Sequence, residues 1–121
     1  MIAQYVQAAL VAENKVLAHP ASVDSITTSG NQEDHVSMGW GAGRKLVPIL
    51  DNTSRVIAAE ILCGVQGIDF RKPLEPGPGT ASVVTLVRNH VPPLGQDRPL
   101  SDEIETVAKL IKDGSIEAAA G

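Results

Sequence analysis

Only three aromatic residues, Tyr5, Trp40 and Phe70, occur in the 121 positions of this chain. A core almost without rings must be filled by Ala, Val, Leu and Ile. Protein interiors are close-packed, so elements bearing such small side chains must approach one another closely. Helices meet that demand, because their separation is set by the side chains at the contact. The apolar residues recur at i, i+3 and i+4, and no alternating strand pattern runs for more than a few residues. These features predict an all-α chain, a single helical segment over residues 1–121.

Helix is expected first from Met1 to about Leu17, ending before His19-Pro20, since the residue before a proline disfavours helical backbone. No capping residue precedes Met1, which suggests a helix entered part-way. Residues 21–32 turn to Ser, Thr, Asp, Asn and Gly, whose side chains compete for backbone hydrogen bonds and favour turns. A second helix is expected from about Glu33 to Val65, with Glu33 and Asp34 in its first turn, where the helix dipole favours carboxylates. Its apolar stripe is Val36, Trp40, Leu46, Val47, Leu50, Ile57, Ile61 and Leu62. Pro48 predicts a kink or break there. Gly39, Gly41 and Gly43 are best understood if another helix presses on that face. Residues 69–79, with three prolines and two glycines, read as a loop. A short helix over about Thr80–Asn89 stops at Pro92-Pro93. The last helix has Ser101 as N-cap, Asp102 and Glu103 in its first turn, and Gly114 as its stop. Residues 115–121 are expected to be a disordered tail.

The bulk properties exclude several functions. With 14 acidic against 10 basic side chains and no basic cluster, a nucleic-acid partner is not expected. No apolar run reaches the roughly 20 residues a bilayer span requires, and no signal-peptide layout opens the chain. Cys63, the only cysteine, fits a reducing compartment and is expected to be a buried small hydrophobe. A cytoplasmic location follows as the expectation. The Gly39-x-Gly41-x-Gly43 spacing is not that of a dinucleotide or phosphate loop. Glu33, Asp34 and His35 would point about 100° apart on a helix, so no metal site is expected.

The polar loop has more hydrogen-bonding capacity than a connector needs. Its residues, with those before it, carry a resemblance. Asn14-Lys15-Val16-Leu17-Ala18-His19-Pro20-Ala21-Ser22-Val23-Asp24-Ser25, continued by Thr28-Ser29-Gly30-Asn31-Gln32-Glu33-Asp34-His35-Val36-Ser37-Met38-Gly39, is similar to the C-terminal region of histidine ammonia-lyases. Leu50-Asp51-Asn52-Thr53, Ala59-Glu60 to Gln66-Gly67, Pro76-Gly77-Pro78-Gly79-Thr80 and Asp97-Arg98 extend the likeness across the chain. Thr27 departs from it, standing where the family has Pro.

The resemblance implies the C-terminal part of a larger helical-bundle lyase, a homotetramer in histidine catabolism that eliminates ammonia from L-histidine to give urocanate. Met1 would correspond to a mid-chain methionine, and an N-terminal lyase portion would be the missing partner. The family's electrophile, a methylidene-imidazolone, forms from an internal Ala-Ser-Gly. No such tripeptide occurs here, so this chain is not expected to form the cofactor or to act alone. Glu33 is implied in the substrate pocket, where the phenylalanine and tyrosine lyases carry Gln. A carboxylate there accepts an imidazole N–H and stabilises an imidazolium. Glu33 is thus a substrate-binding residue first and a candidate catalytic base second. Gln32 and Met1 are implied as further substrate-binding positions, Asn31 and Ser29 as residues that order the loop. Helix faces shaped for a larger assembly predict homo-oligomers. The alternative is a non-catalytic helical fragment or assembly module.

Overall fold

The computed structural model describes all residues, 1–121. Five α-helices follow in order: α1 Ile2–Leu17, α2 Gly39–Asp69, α3 Pro78–Arg88, α4 Ser101–Lys112 and α5 Ser115–Ala120. A tight turn at Ser29–Asn31, with all three residues at positive φ, interrupts the long loop between α1 and α2. The all-α expectation holds.

The axis of the molecule is α2, whose 31 residues rise about 46 Å. Alongside it α1 runs antiparallel. Gln7 Nε2 donates to the Val56 carbonyl at 2.9 Å, Asn52 Nδ2 to Asn14 Oδ1 at 3.0 Å, and Lys45 Nζ to the His19 carbonyl. Also antiparallel to α2 is α4, fastened by Arg55–Glu105 and by Lys112–Asp51 at 2.6 Å. Beyond the end of α2, Arg88 of α3 donates Nε to Asp69 Oδ2 at 2.9 Å and Nη1 to the Val91 carbonyl at 3.1 Å.

The core lies between α2, α3 and α4. It comprises Ala58, Ala59, Val65, Val87, Val91, Ile104, Val107 and Ala108. No aromatic ring enters it, and its three alanines let the helices close on one another. The periodicity located this face correctly in α4, where Ile104, Val107 and Leu110 are buried.

The core is thin. Ten of 121 residues are buried, and the accessible surface is 8472 Å². A compact monomer of this mass would expose about 6,200 Å², so roughly 2,000 Å² is left uncovered. The excess sits on the helix faces expected to be core. Trp40 is 82 % exposed, and Leu46, Val47, Leu50 and Ile57 are exposed too. The stripe exists, but nothing in this chain covers its N-terminal two-thirds. Instead α2 buries Asn52, Ala58, Ala59 and Val65. Cys63, expected inside, is likewise exposed.

Other boundaries differ for local reasons. Helix α2 begins at Gly39, because residues 28–33 close a turn on themselves and keep Glu33 and Asp34 out of it. It then passes through Pro48 as one helix, without the break. The carbonyl that Pro48 leaves without an i+4 donor belongs to Arg44. Both residues border an open cleft. No helix presses on the first turns of α2: Gly41 faces the Ala21 Cβ, and an added Cβ at Gly43 would meet nothing. Residues 115–121 are not a disordered tail. After Gly114 turns the chain with left-handed backbone (φ 80°), α5 docks on α3, with Ile116 against the core. Gly79 permits the approach, since a Cβ there would stand 2.6 Å from the Ala120 carbonyl oxygen.

Candidate functional site

The polar loop is built as a closed hairpin-like turn. At its base the Ser25 hydroxyl accepts from the Val36 N–H at 2.7 Å and donates to the Val36 carbonyl at 3.1 Å. Above it Thr28 and Glu33 pair through their backbones, Thr28 N to Glu33 O at 2.8 Å and Glu33 N to Thr28 O at 3.3 Å. The tip is Ser29-Gly30-Asn31, three consecutive residues in left-handed backbone with φ of 56°, 62° and 70°. Glycine takes that conformation freely and Asn tolerates it, but Ser29 adopts it at a cost. Clustered strain of this kind persists only where surrounding contacts enforce it.

Those contacts converge on Glu33. Its Oε2 accepts the Ser29 hydroxyl at 2.8 Å and the Thr28 hydroxyl at 3.0 Å. Hydrogen bonds to the ionised form favour it. The Ser29 hydroxyl first, then that of Thr28, holds the Glu33 carboxyl below its ordinary range, against a slight opposing effect of desolvation. Oε1 takes no hydrogen bond from the chain, and the residue is exposed. The result is a fixed, ionised carboxylate with one oxygen committed and the other open.

The remaining candidates are distributed around this group. Ser29 is in direct contact with Glu33. Gln32 donates its N–H to the Ser29 carbonyl at 3.3 Å, and its side chain is exposed. Asn31 contributes backbone, its left-handed φ, with no side-chain hydrogen bond. Met1, 93 % exposed, stands at the opposite end of α1 from the one where the loop departs, and no hydrogen bond links it to Glu33. Thr28 is the residue that the sequence reading left out of the site. Its signal was present as a second hydroxyl five positions before the carboxylate.

Glu33 stands exposed at the surface of the loop and lines neither of two clefts beside α1. These clefts lie where α1 leaves α2: one of about 360 Å³ is lined by Leu17, Gly41, Arg44, Lys45 and Pro48, the other by residues around His19 and Leu46. With residues 31–35 all exposed, an enclosed pocket at Glu33 requires walls beyond its own loop. The backbone for a methylidene-imidazolone is also lacking. Ser22 and Ser82 follow Ala but precede Val, and Ser29-Gly30 follows Thr28. The Ser29 hydroxyl is moreover engaged with Glu33. The residues present do not fit that group.

Comparison with known proteins gives a consistent set of relatives. Residues 1–89 match the family model for aromatic amino acid lyases. Histidine ammonia-lyase of Natranaerobius thermophilus is 56 % identical over 116 residues, which is 96 % of this chain and 23 % of that protein. The crystal structure of histidine ammonia-lyase from Trypanosoma cruzi superposes with a TM-score of 0.94 at 46 % identity, covering 99 % of this chain and 24 % of that one. Tyrosine aminomutase from Streptomyces globisporus superposes with a TM-score of 0.90 at 36 % identity, covering 97 % and 22 %. The chain thus spans about a quarter of the length of the proteins it matches.

Proposed function

The chain belongs to the aromatic amino acid lyase family, and from that premise we propose that it supplies the C-terminal, substrate-recognising part of a histidine ammonia-lyase. The reaction is the non-oxidative elimination of ammonia from L-histidine to give urocanate. Glu33 binds the imidazole. Its open oxygen accepts a ring N–H, and its charge favours an imidazolium, neither of which a phenyl ring offers. The single observation that carries this reading is the fixed, ionised, outward-facing carboxylate of Glu33, in a chain 56 % identical to a histidine ammonia-lyase. Gln32 flanks the same site, and Met1 enters it from another part of the assembled lyase.

The electrophile comes from residues this chain does not contain, since Ala-Ser-Gly is absent. The isolated chain is therefore inactive, and the uncovered surface of roughly 2,000 Å² is where the rest of a homo-oligomeric lyase packs. A test incubates the chain with L-histidine, alone and with an Ala-Ser-Gly-bearing lyase portion, and follows urocanate absorbance in the ultraviolet. No product alone and product on completion support the reading. Turnover by the chain alone sinks it. Size-exclusion chromatography gives an independent check, with association expected and a clean monomer counting against the packing role. The non-catalytic alternative, a helical assembly module, predicts no urocanate in either arm.

A further inference from the structure

The loop does more than present a carboxylate, because it treats the two oxygens of Glu33 differently. Both hydroxyls of the turn, Ser29 at 2.8 Å and Thr28 at 3.0 Å, bond the same atom, Oε2. A side chain tied twice through one oxygen loses its rotamer freedom and aims the other oxygen in one direction. The tie also occupies the lone pairs by which Oε2 would accept a proton. Ser29 holds this position at φ 56°, in backbone where a non-glycine residue is disfavoured. Glycine would suit the turn better, so the shape of the loop does not explain the serine. Its hydroxyl does.

We infer that Ser29 and Thr28 are positioning residues that hold Glu33 as a one-sided anionic acceptor for a nitrogen-heterocyclic substrate, and so make it a binding group rather than a proton shuttle. This rests on the reading of Glu33 given above. Two bonds to Oε2 keep the carboxylate ionised and leave Oε1 for the ring N–H. A carboxylate so stabilised is a poor general base, because efficient proton transfer needs a pKa near the working pH.

The test uses two measurements. In the intact chain, carbon-13 carboxyl resonances follow the titration of Glu33. S29A, S29G and T28V each move its midpoint upward, and T28S, which keeps the hydroxyl, recovers the value that T28V loses. Kinetics are read in a chimera carrying residues 1–121 in place of the matching segment of the N. thermophilus lyase. There S29G and T28V raise KM for L-histidine by about three- to tenfold, the net size of one ordinary hydrogen bond lost, with kcat held within about twofold. T28S restores KM. Were Ser29 needed only for the turn, S29G would leave KM untouched, and that result overturns the inference. A fall in kcat at constant KM overturns it as well, by making Glu33 a proton-transfer group. E33Q separates the two levels. Unchanged KM in E33Q removes the assignment of Glu33 and this inference with it. Raised KM in E33Q beside unaffected S29G and T28V removes the positioning role alone.

Discussion

Asn52 is the only buried polar side chain, 5 % exposed, and it decides whether α1 stays on α2. No residue of α1 is itself buried, and of its apolar residues only Val6 packs against the core. Its inner face half-buries Ala3, Val6, Leu10 and Leu17 beside Gln7 and Asn14, and the polar contacts clamp it in place. Asn52 Nδ2 donates to Glu13 Oε2 at 2.8 Å and to Asn14 Oδ1 at 3.0 Å. A hydrogen bond to a charged group contributes about 1.5–3 kcal/mol and a neutral one about 1 kcal/mol. Glu13 is exposed and Asn14 half-buried, so both recover water when Asn52 is truncated. The net loss for Asn52→Ala then falls near the lower end, about 2 kcal/mol. With an unfolding entropy of about 2.1 cal/mol/K per residue, that lowers Tm by about 8 °C in a chain this long. The loss is also local, because a released helix of this length is marginal in water. Circular dichroism melting should show the shift. Hydrogen exchange should show peptides from residues 2–17 opening, with those from α4 protected as before. Asn52→Leu, which loses the bonds but keeps apolar volume, should fall between Ala and the natural residue. A Tm within about 2 °C of the original and unchanged exchange in α1 would refute the polar-clamp argument.

Three further outcomes are expected. Val107 is fully buried at the centre of the core; Val107→Ala removes two methyl groups and should cost about 2–3 kcal/mol, read as a melting point lower by roughly 10 °C. The Lys72 ammonium, then the Arg88 guanidinium, hold the Asp69 carboxyl below its ordinary 3.8. A depressed folded-state pKa contributes stability that is complete above the ordinary value and lost as pH falls through the folded one. Melting points should therefore drop on acidification below about pH 4, and Asp69→Asn should flatten that part of the profile. Gly79→Ala places a Cβ 2.6 Å from the Ala120 carbonyl oxygen; α5 should lose its exchange protection, while the global melting point moves little because Ala favours helix by about 1 kcal/mol.

Much of this architecture was legible without coordinates, for a physical reason. Helical periodicity, proline stops and glycine turns are local properties, written within a few residues of where they act. The scarcity of rings foretold a small-residue core, and α4 could be read with its buried face and its glycine stop, although Leu100 and not Ser101 is its N-cap and no side chain caps it. The polar loop between α1 and α2 and the carboxylate within it were visible too, from composition and from likeness to a family.

What residues alone could not determine was which apolar face meets a partner within the chain. Trp40, Leu46, Val47 and Leu50 obey the same spacing as a buried stripe, yet they are exposed, because periodicity marks a face without naming what covers it. The start of α2 was misplaced because Glu33 is captured by Thr28 and Ser29 before it can enter a helical turn. The docking of α5 depended on the room left at Gly79, a contact between residues 41 positions apart. The uneven treatment of the two oxygens of Glu33 was likewise a matter of three-dimensional geometry. A sequence can place a carboxylate on a loop, but only the folded turn selects which of its oxygens remains open.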